Sequence, residues 1–439
     1  MRALRNLLLP ASLLITGTAL ASDGDMDTTF GGDLGAGGGQ FLSDINIGWN
    51  WESAKAILPV ANDGYVLVGN VDGMIGLMQI DQRGTVVRRQ ETNVTGTPIN
   101  AVRDASGRIL TLWYSKIVRF NSDFSLDTTY GDSGIATIPN MPGYESPYFE
   151  AIALDHSGRI VVAGNAAQFG TTNQDMAVAR LLSNGSLDAS FGSSGQTAIA
   201  FDLITNGQDS ASNIAIAADD SVALAGEAQN TGLDANGDFF SYLAVARLQT
   251  DGALDLSFNG NGKRTIDLGT AVECCGSDAV AFDESDRIVI AGFTPSSGLV
   301  TRLLANGQND AKFHGTNPAS PSGMALTSLG PRALAISSDG HILIAGASAG
   351  VCSKSTMTVE RLTSSGTEDL SFDGGSSVRS VGFDECATTA KVGSSASAML
   401  LDAARPVLFG LFYNGDNTQG LLAVARLQSD LIFANRFGD

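Results

Sequence analysis

Three short elements recur in fixed order along this chain with a period of roughly sixty residues, and that recurrence limits the available architectures more than any other feature. The first reads Leu-Asp-x-Ser/Thr-Phe-Gly-x-x-Gly. Copies begin at Asp127, Asp188, Asp255, Asp310 and Asp369, spaced 61, 67, 55 and 59 residues apart, and an isolated copy runs from Asp27 to Gly31. Two periods separate Asp27 from Asp127, the middle copy having decayed around Arg83, Gly84 and Thr85. The second element is a turn followed by an apolar run ending in Gly, seen at 157–164, 286–292 and 339–346, with weaker copies at 63–69, 107–112, 220–226 and 405–410. The third is Val-x-Arg-Leu, carrying Arg180, Arg247, Arg302, Arg361 and Arg426, with Arg119 in a Val-Arg-Phe variant.

The apolar runs are short, rich in Val, Ile and Ala, and bounded by Asp-Gly or Asn-Gly turns, which is the chemistry of strands joined by hairpins. Each period supplies four strands; in the third they are 135–138, 150–154, 159–164 and 176–182. Seven such quartets fit between Gly39 and Leu427. The reading is an all-β, seven-bladed β-propeller of four-stranded antiparallel blades, one domain after a signal peptide. The repeats span 39–84, 85–130, 131–191, 192–258, 259–313, 314–372 and 373–439, with 27–38 closing the ring. A linear solenoid is the rival, but its rungs are far shorter than ~60 residues.

On these three elements the chain resembles the delta-60-repeat family of exported bacterial proteins. The resemblance rests on the Gly-Arg-Ile-Val-Val-Ala-Gly run at 158–164, Val-Ala-Arg-Leu around Arg180 and Leu-Asp-x-Ser-Phe-Gly around Asp188. It covers nearly the whole chain after the leader, periods one and seven departing most. It implies a propeller-like fold and export, and it supplies no catalytic residue.

Arg and Asp keep a constant offset. Arg119 and Asp127, Arg180 and Asp188, Arg247 and Asp255, Arg302 and Asp310, and Arg361 and Asp369 are each eight residues apart. An ion pair locking the corner between two strands is the simplest physical account. Arg426 has no Asp at that offset, and Asp27 has no preceding Arg outside the leader. Asp27 and Phe30 are therefore expected to complete a seventh corner beside Arg426, closing the ring without a covalent bond.

The chain opens with Arg2 and Arg5, then a largely apolar run from Leu7 to Leu20 and the small-x-small sequence Ala19-Leu20-Ala21. That order reads as a secretory signal peptide over 1–21 and a mature chain over 22–439. No later segment is apolar for long enough to span a bilayer. The formal charge of −20 disfavours nucleic acid and favours cations or basic partners. Export permits disulfides. Cys352 is expected to pair with Cys386, and Cys274 with Cys275, cross-pairing between loops being the alternative.

In such a meander the Asp-Gly turns and the Leu-Asp-x-Ser-Phe corners share one face. The variable connections at 165–175, 229–241, 269–276, 317–330 and 384–395 share the other, where binding evolves most readily. Asp234, Asn236 and Asp238 resemble the start of a calcium loop, although the distal Glu of an EF-hand is absent. No other cofactor is indicated. Trp49, Trp51 and Trp113 read as packing between blades, with an aromatic face for a sugar formed by the alternating Trp49 and Trp51 as the alternative. The Gly-x-Ser-x-Gly run at 346–350 lacks the helix that a nucleophile elbow requires. The expected function is a secreted or cell-surface binding or scaffold protein for a protein or glycan ligand. A metal-dependent hydrolase or lactonase with carboxylates in the central channel is the alternative. Ligand and oligomeric state are not legible in the sequence.

Overall fold

In each period, β-branched runs separated by tight turns fold into an antiparallel meander. The computed structural model describes residues 24–31, 38–42, 51–60, 64–233, 239–266, 276–294, 297–316, 322–349, 355–383, 393–413 and 420–428. Every regular element of three or more residues among them is a β-strand. Blade 1 holds Trp51–Val60, Gly64–Val71, Met74–Ile80 and Val86–Thr95. Blades 2 to 6 are separate four-stranded sheets paired in chain order. Blade 3 is typical: Tyr144–Leu154, Ile160–Gln168, Gln174–Leu181 and Gln196–Ile199, numbered from the axis outward. The first strands of successive blades contact one another around the ring. The fold is a seven-bladed β-propeller.

The phase of the blades differs from that of the sequence repeat. The strand Ile135–Thr137 does not open blade 3; it pairs with Lys116–Phe120 as the fourth strand of blade 2. A period cut anywhere contains four strands, so periodicity alone cannot locate the boundary. The corner decides it, because the chain turns back there and adds its next strand to the outside of the sheet it has just left. Blade 7 accordingly needs a fourth strand from elsewhere. Gln40–Leu42 supplies it, pairing Gln40 with Ala425, Phe41 with Val424 and Leu42 with Ala423.

Several connections are shorter than expected. Strand pairing continues through Asn165, Ala166 and Ala167, opposite Met176, Asp175 and Gln174, so only 169–173 remain outside the two strands. Likewise Val222–Leu233 and Phe239–Leu248 extend into the expected 229–241 loop, and Met324–Thr327 forms a strand within 317–330. Polar and Gly-rich composition reads as loop, but these residues pair as strands and several of them are buried, Ala166, Asp175 and Gln229 among them.

Apolar side chains pack between blades. One cluster joins blades 2 and 3 through Leu112, Ile117, Phe149 and Val162; another joins blades 3 and 4 through Val161, Val178, Leu224 and Leu248. The cluster between blades 7 and 1 contains Phe409 and Val424 from one side, Tyr65 and Leu67 from the other, and Phe30 and Phe41 from the N-terminal segment. Seven such clusters complete the circle.

The Gly that ends the second repeat element has a steric cause. The first strand of blades 1, 3, 4, 5, 6 and 7 carries a register shift opposite Gly69, Gly164, Gly226, Gly292, Gly346 and Gly410. The bulge presses a carbonyl of the first strand against that Gly. A Cβ at Gly226 would lie 1.8 Å from Ser210 O, and one at Gly164 2.0 Å from Tyr148 O. In blade 2 Trp113 occupies the repeat position of that Gly, and the pairing from Asn100 to Arg103 runs without a shift.

Candidate functional site

The corner face is occupied with holding the ring together. Arg119 Nε lies 2.9 Å from Asp127 Oδ2, Arg180 Nε 2.9 Å from Asp188, Arg302 Nη2 2.8 Å from Asp310 and Arg361 Nε 2.7 Å from Asp369. Arg247 is the looser case: it is 3.3 Å from Asp255 and 2.7 Å from Asp286. Each corner aspartate also accepts from a backbone N–H two residues on, as Asp188 does from Ser190. Burial opposes the charge of Asp188, yet the Ser190 hydrogen bonds and Arg180 together hold its pKa below the usual range. The aromatic ring of the corner lies under the guanidinium, with Arg180 4.6 Å from the Phe191 centroid and Arg302 4.7 Å from that of Phe313.

These corners also bind neighbouring blades. Gly131, Gly192, Asn259 and His314 each donate their N–H to a carbonyl in the following blade's turn, at Asn184, Asp251, Asn306 and Ser365. Gly31 does the same to Arg83 of blade 1. Arg426 Nε lies 2.8 Å from Asp27 Oδ2, and its guanidinium stands 4.8 Å over the Phe30 ring. The N-terminal copy thus occupies in blade 7 the place that a local corner occupies in blades 2 to 6.

The opposite face carries a different chemistry. The hairpin between the second and third strands of blade 2 turns at Tyr114 and Ser115, and Tyr114 takes a positive φ of 53°. A bulky residue in that region is strained, and such strain gathers at functional positions. The turn presents Tyr114 at 50% exposure against Tyr148 of blade 3 at 37%, with ring centroids 5.2 Å apart. Trp113 packs 6.1 Å from Tyr114, and Lys116 Nζ lies 5.3 Å over its ring. Two carboxylates sit nearby. Glu150 is raised by burial and by the neighbouring Glu227, and Glu227 is raised by loss of surrounding water. Sequence reasoning singled out Trp113 but not its partners. The available signal was internal: at 113 and 114 blade 2 carries Trp-Tyr where blade 3 carries Gly164-Asn165.

Between the faces runs the axial channel. A cavity of about 480 Å³ is lined by the first strands of six blades, among them Lys55, Asn100, Asn213, Asp278, Arg332 and Ser397. Arg332 Nη1 donates to Asp278 Oδ1 at 2.9 Å. Burial raises the pKa of Asp278, and Arg332 only partly offsets this.

Asp234, Asn236, Asp238, Cys274, Cys275, Cys352 and Cys386 lie outside the described residues, as does Trp49. Among the described residues no three His, Cys, Asp or Glu side chains form a metal-holding group. No helix among them is long and apolar enough to cross a membrane. Ser348 of the Gly-x-Ser-x-Gly run sits inside a strand, its Oγ 2.7 Å from Thr358 Oγ1.

A family model described as "Domain of unknown function (DUF5122) beta-propeller" matches residues 157–191 and 233–258. No curated protein matches the chain in sequence. Among solved structures it is similar to polysaccharide lyase Uly1, at 12% identity over 86% of this chain and 90% of that one, TM-score 0.49. It is similar to a streptogramin B lyase at 10% identity over 88% and 98%, TM-score 0.44. It is also similar to Drosophila Plexin A, solved in complex with Semaphorin 1b, at 10% identity over 92% and 88%, TM-score 0.45. At these identities no activity carries across.

Proposed function

We propose that this chain is an exported binding protein that holds a glycan or protein ligand on its loop-bearing face, around Trp113, Tyr114 and Tyr148. The observation that carries the reading is the unequal use of the two faces. The corner face spends its turns on contacts between blades, while the other presents Tyr114 and Tyr148 to solvent at 50% and 37% exposure. Rings held in a rigid frame offer large amphipathic contact area, which suits a sugar face or a protein side chain. The hydrolase alternative has less support: Asp278 is engaged by Arg332, and Glu150 belongs to a different blade.

The test uses the mature chain in a screen of immobilised glycans and envelope proteins, run beside a panel of lactone and ester substrates. Saturable binding without turnover is the expected result. Release of product at a rate proportional to protein concentration would replace the binding reading with the enzyme. Calcium at Asp234, Asn236 and Asp238 belongs to the same proposal, and a calorimetric titration showing no heat would remove it. The Cys352–Cys386 and Cys274–Cys275 pairings are open to peptide mapping without reduction.

A further inference from the structure

Six blades carry one extra residue at the same register position of their first strand: Lys55, Glu150, Ser212, Asp278, Arg332 and Ser397. Such a bulge leaves its residue out of the ladder and re-aims the side chain. The neighbours of these positions are mostly small, as at Ala54 and Ala56, Ser277 and Ala279, and Ala396 and Ala398. The bulged residue itself changes from blade to blade. One repeated backbone device therefore delivers a different side chain from each blade, and Lys55, Asp278, Arg332 and Ser397 line the axial cavity of about 480 Å³.

The charges are arranged around the ring. Arg332, Ser397 and Lys55 come from the consecutive blades 6, 7 and 1, while Glu150 and Asp278 come from blades 3 and 5. In a chain of formal charge −20, the corner arginines are consumed by buried aspartates. Lys55 instead makes no hydrogen bond or ion pair among the described residues, and Arg332, 60% exposed, bonds there only to Asp278 through Nη1. Asp278 Oδ2 is buried without a hydrogen-bond partner. The cavity thus offers the Lys55 ammonium and the remaining N–H groups of the Arg332 guanidinium on one arc, with Asp278 Oδ1, which accepts from Arg332, beside them. Its size falls within the roughly 300–1,000 Å³ usual for small-molecule sites.

We infer that the axial channel binds a small hydroxylated carboxylate, its carboxylate held between Lys55 and Arg332 and one hydroxyl donating to Asp278 Oδ1. This site goes beyond the loop-face reading and does not depend on it.

The test is calorimetry on the mature protein with D-glucuronate as the probe, D-glucose as the hydroxylated control without a carboxylate, and acetate as the carboxylate without hydroxyls. Glucuronate binds saturably, and both controls bind about tenfold or more weakly, because each lacks one charge-assisted set of hydrogen bonds. Lys55→Met weakens glucuronate about tenfold or more while leaving the melting temperature unchanged, since the Lys55 ammonium pairs with no group among the described residues. Arg332→Gln has the same effect, and added salt weakens binding to the parent protein. No saturable heat with glucuronate on the intact protein would overturn the assignment. So would a dissociation constant unaltered in Lys55→Met, or one that responds to Tyr114→Ala instead.

Discussion

Asp27 and Arg426 stand 399 residues apart in sequence and form a buried ion pair 2.8 Å long, each side chain only 3% exposed. Burial opposes the charge on Asp27, but hydrogen bonds from Thr29 together with Arg426 and Arg405 keep its pKa below the usual carboxylate range. The pair lies at the last seam of the ring, beside the Gln40–Leu42 strand and the Phe30 ring.

Replacing Asp27 by Ala leaves Arg426 buried and uncompensated, and the expected cost is about 3–5 kcal/mol in urea unfolding. Arg108→Ala, which removes a pair whose Arg is 32% exposed, is expected to cost below about 1 kcal/mol. Equal effects of the two variants would contradict closure through Asp27.

Gly226 lies opposite the bulge in the first strand of blade 4. A Cβ there would meet Ser210 O at 1.8 Å, so Gly226→Ala must push the first strand of blade 4 away from the second. A loss of about 3 kcal/mol or more, or failure to fold, is expected. At Gly170, which has φ +75° and nothing within 4 Å, Ala costs only the backbone strain of about 1–2 kcal/mol. Thermal unfolding of both variants ranks them, and the reverse order would refute the steric account.

Stability should also respond to pH at Asp209. Burial raises its pKa to about 6, and the charges of Asp175 and Asp202 add to the rise against the N–H of Phe201. A carboxyl whose folded pKa lies above its ordinary value of 3.8 favours folding fully only below that value. That contribution disappears as pH rises from 3.8 to about 6, leaving a constant deficit above. Asp209→Asn is therefore expected to stabilise the protein by about 2 kcal/mol at pH 7.5, with the gain vanishing near pH 4. A gain independent of pH would show that the carboxyl is not the source.

The strand quartets and the Arg-Asp-aromatic elements were legible because both are local: hairpin turns and an eight-residue offset are written within one period. The phase of the blade was not, because Ile135–Thr137 reads equally well as the first strand of one sheet or the last of another. The bulged residues were hidden for a related reason. One inserted residue breaks the alternation by which inward and outward positions are read, so Lys55 and Arg332 look like solvent-facing residues of ordinary strands. Tyr114 and Tyr148 meet only because blades 2 and 3 are adjacent, which no spacing within either blade encodes.

The central claim is that binding belongs to the loop-bearing face and stability to the other. Its most direct test compares dissociation constants for the captured ligand between two double variants. Tyr114→Ala with Tyr148→Ala removes the aromatic pair, and Leu256→Ser with Leu370→Ser alters the most exposed corner leucines, at 65% and 58% exposure. The account predicts that the tyrosine variant loses about tenfold or more in affinity while the leucine variant binds as the parent does. Full affinity in the tyrosine variant, with loss in the leucine variant, would place the ligand on the corner face and contradict it.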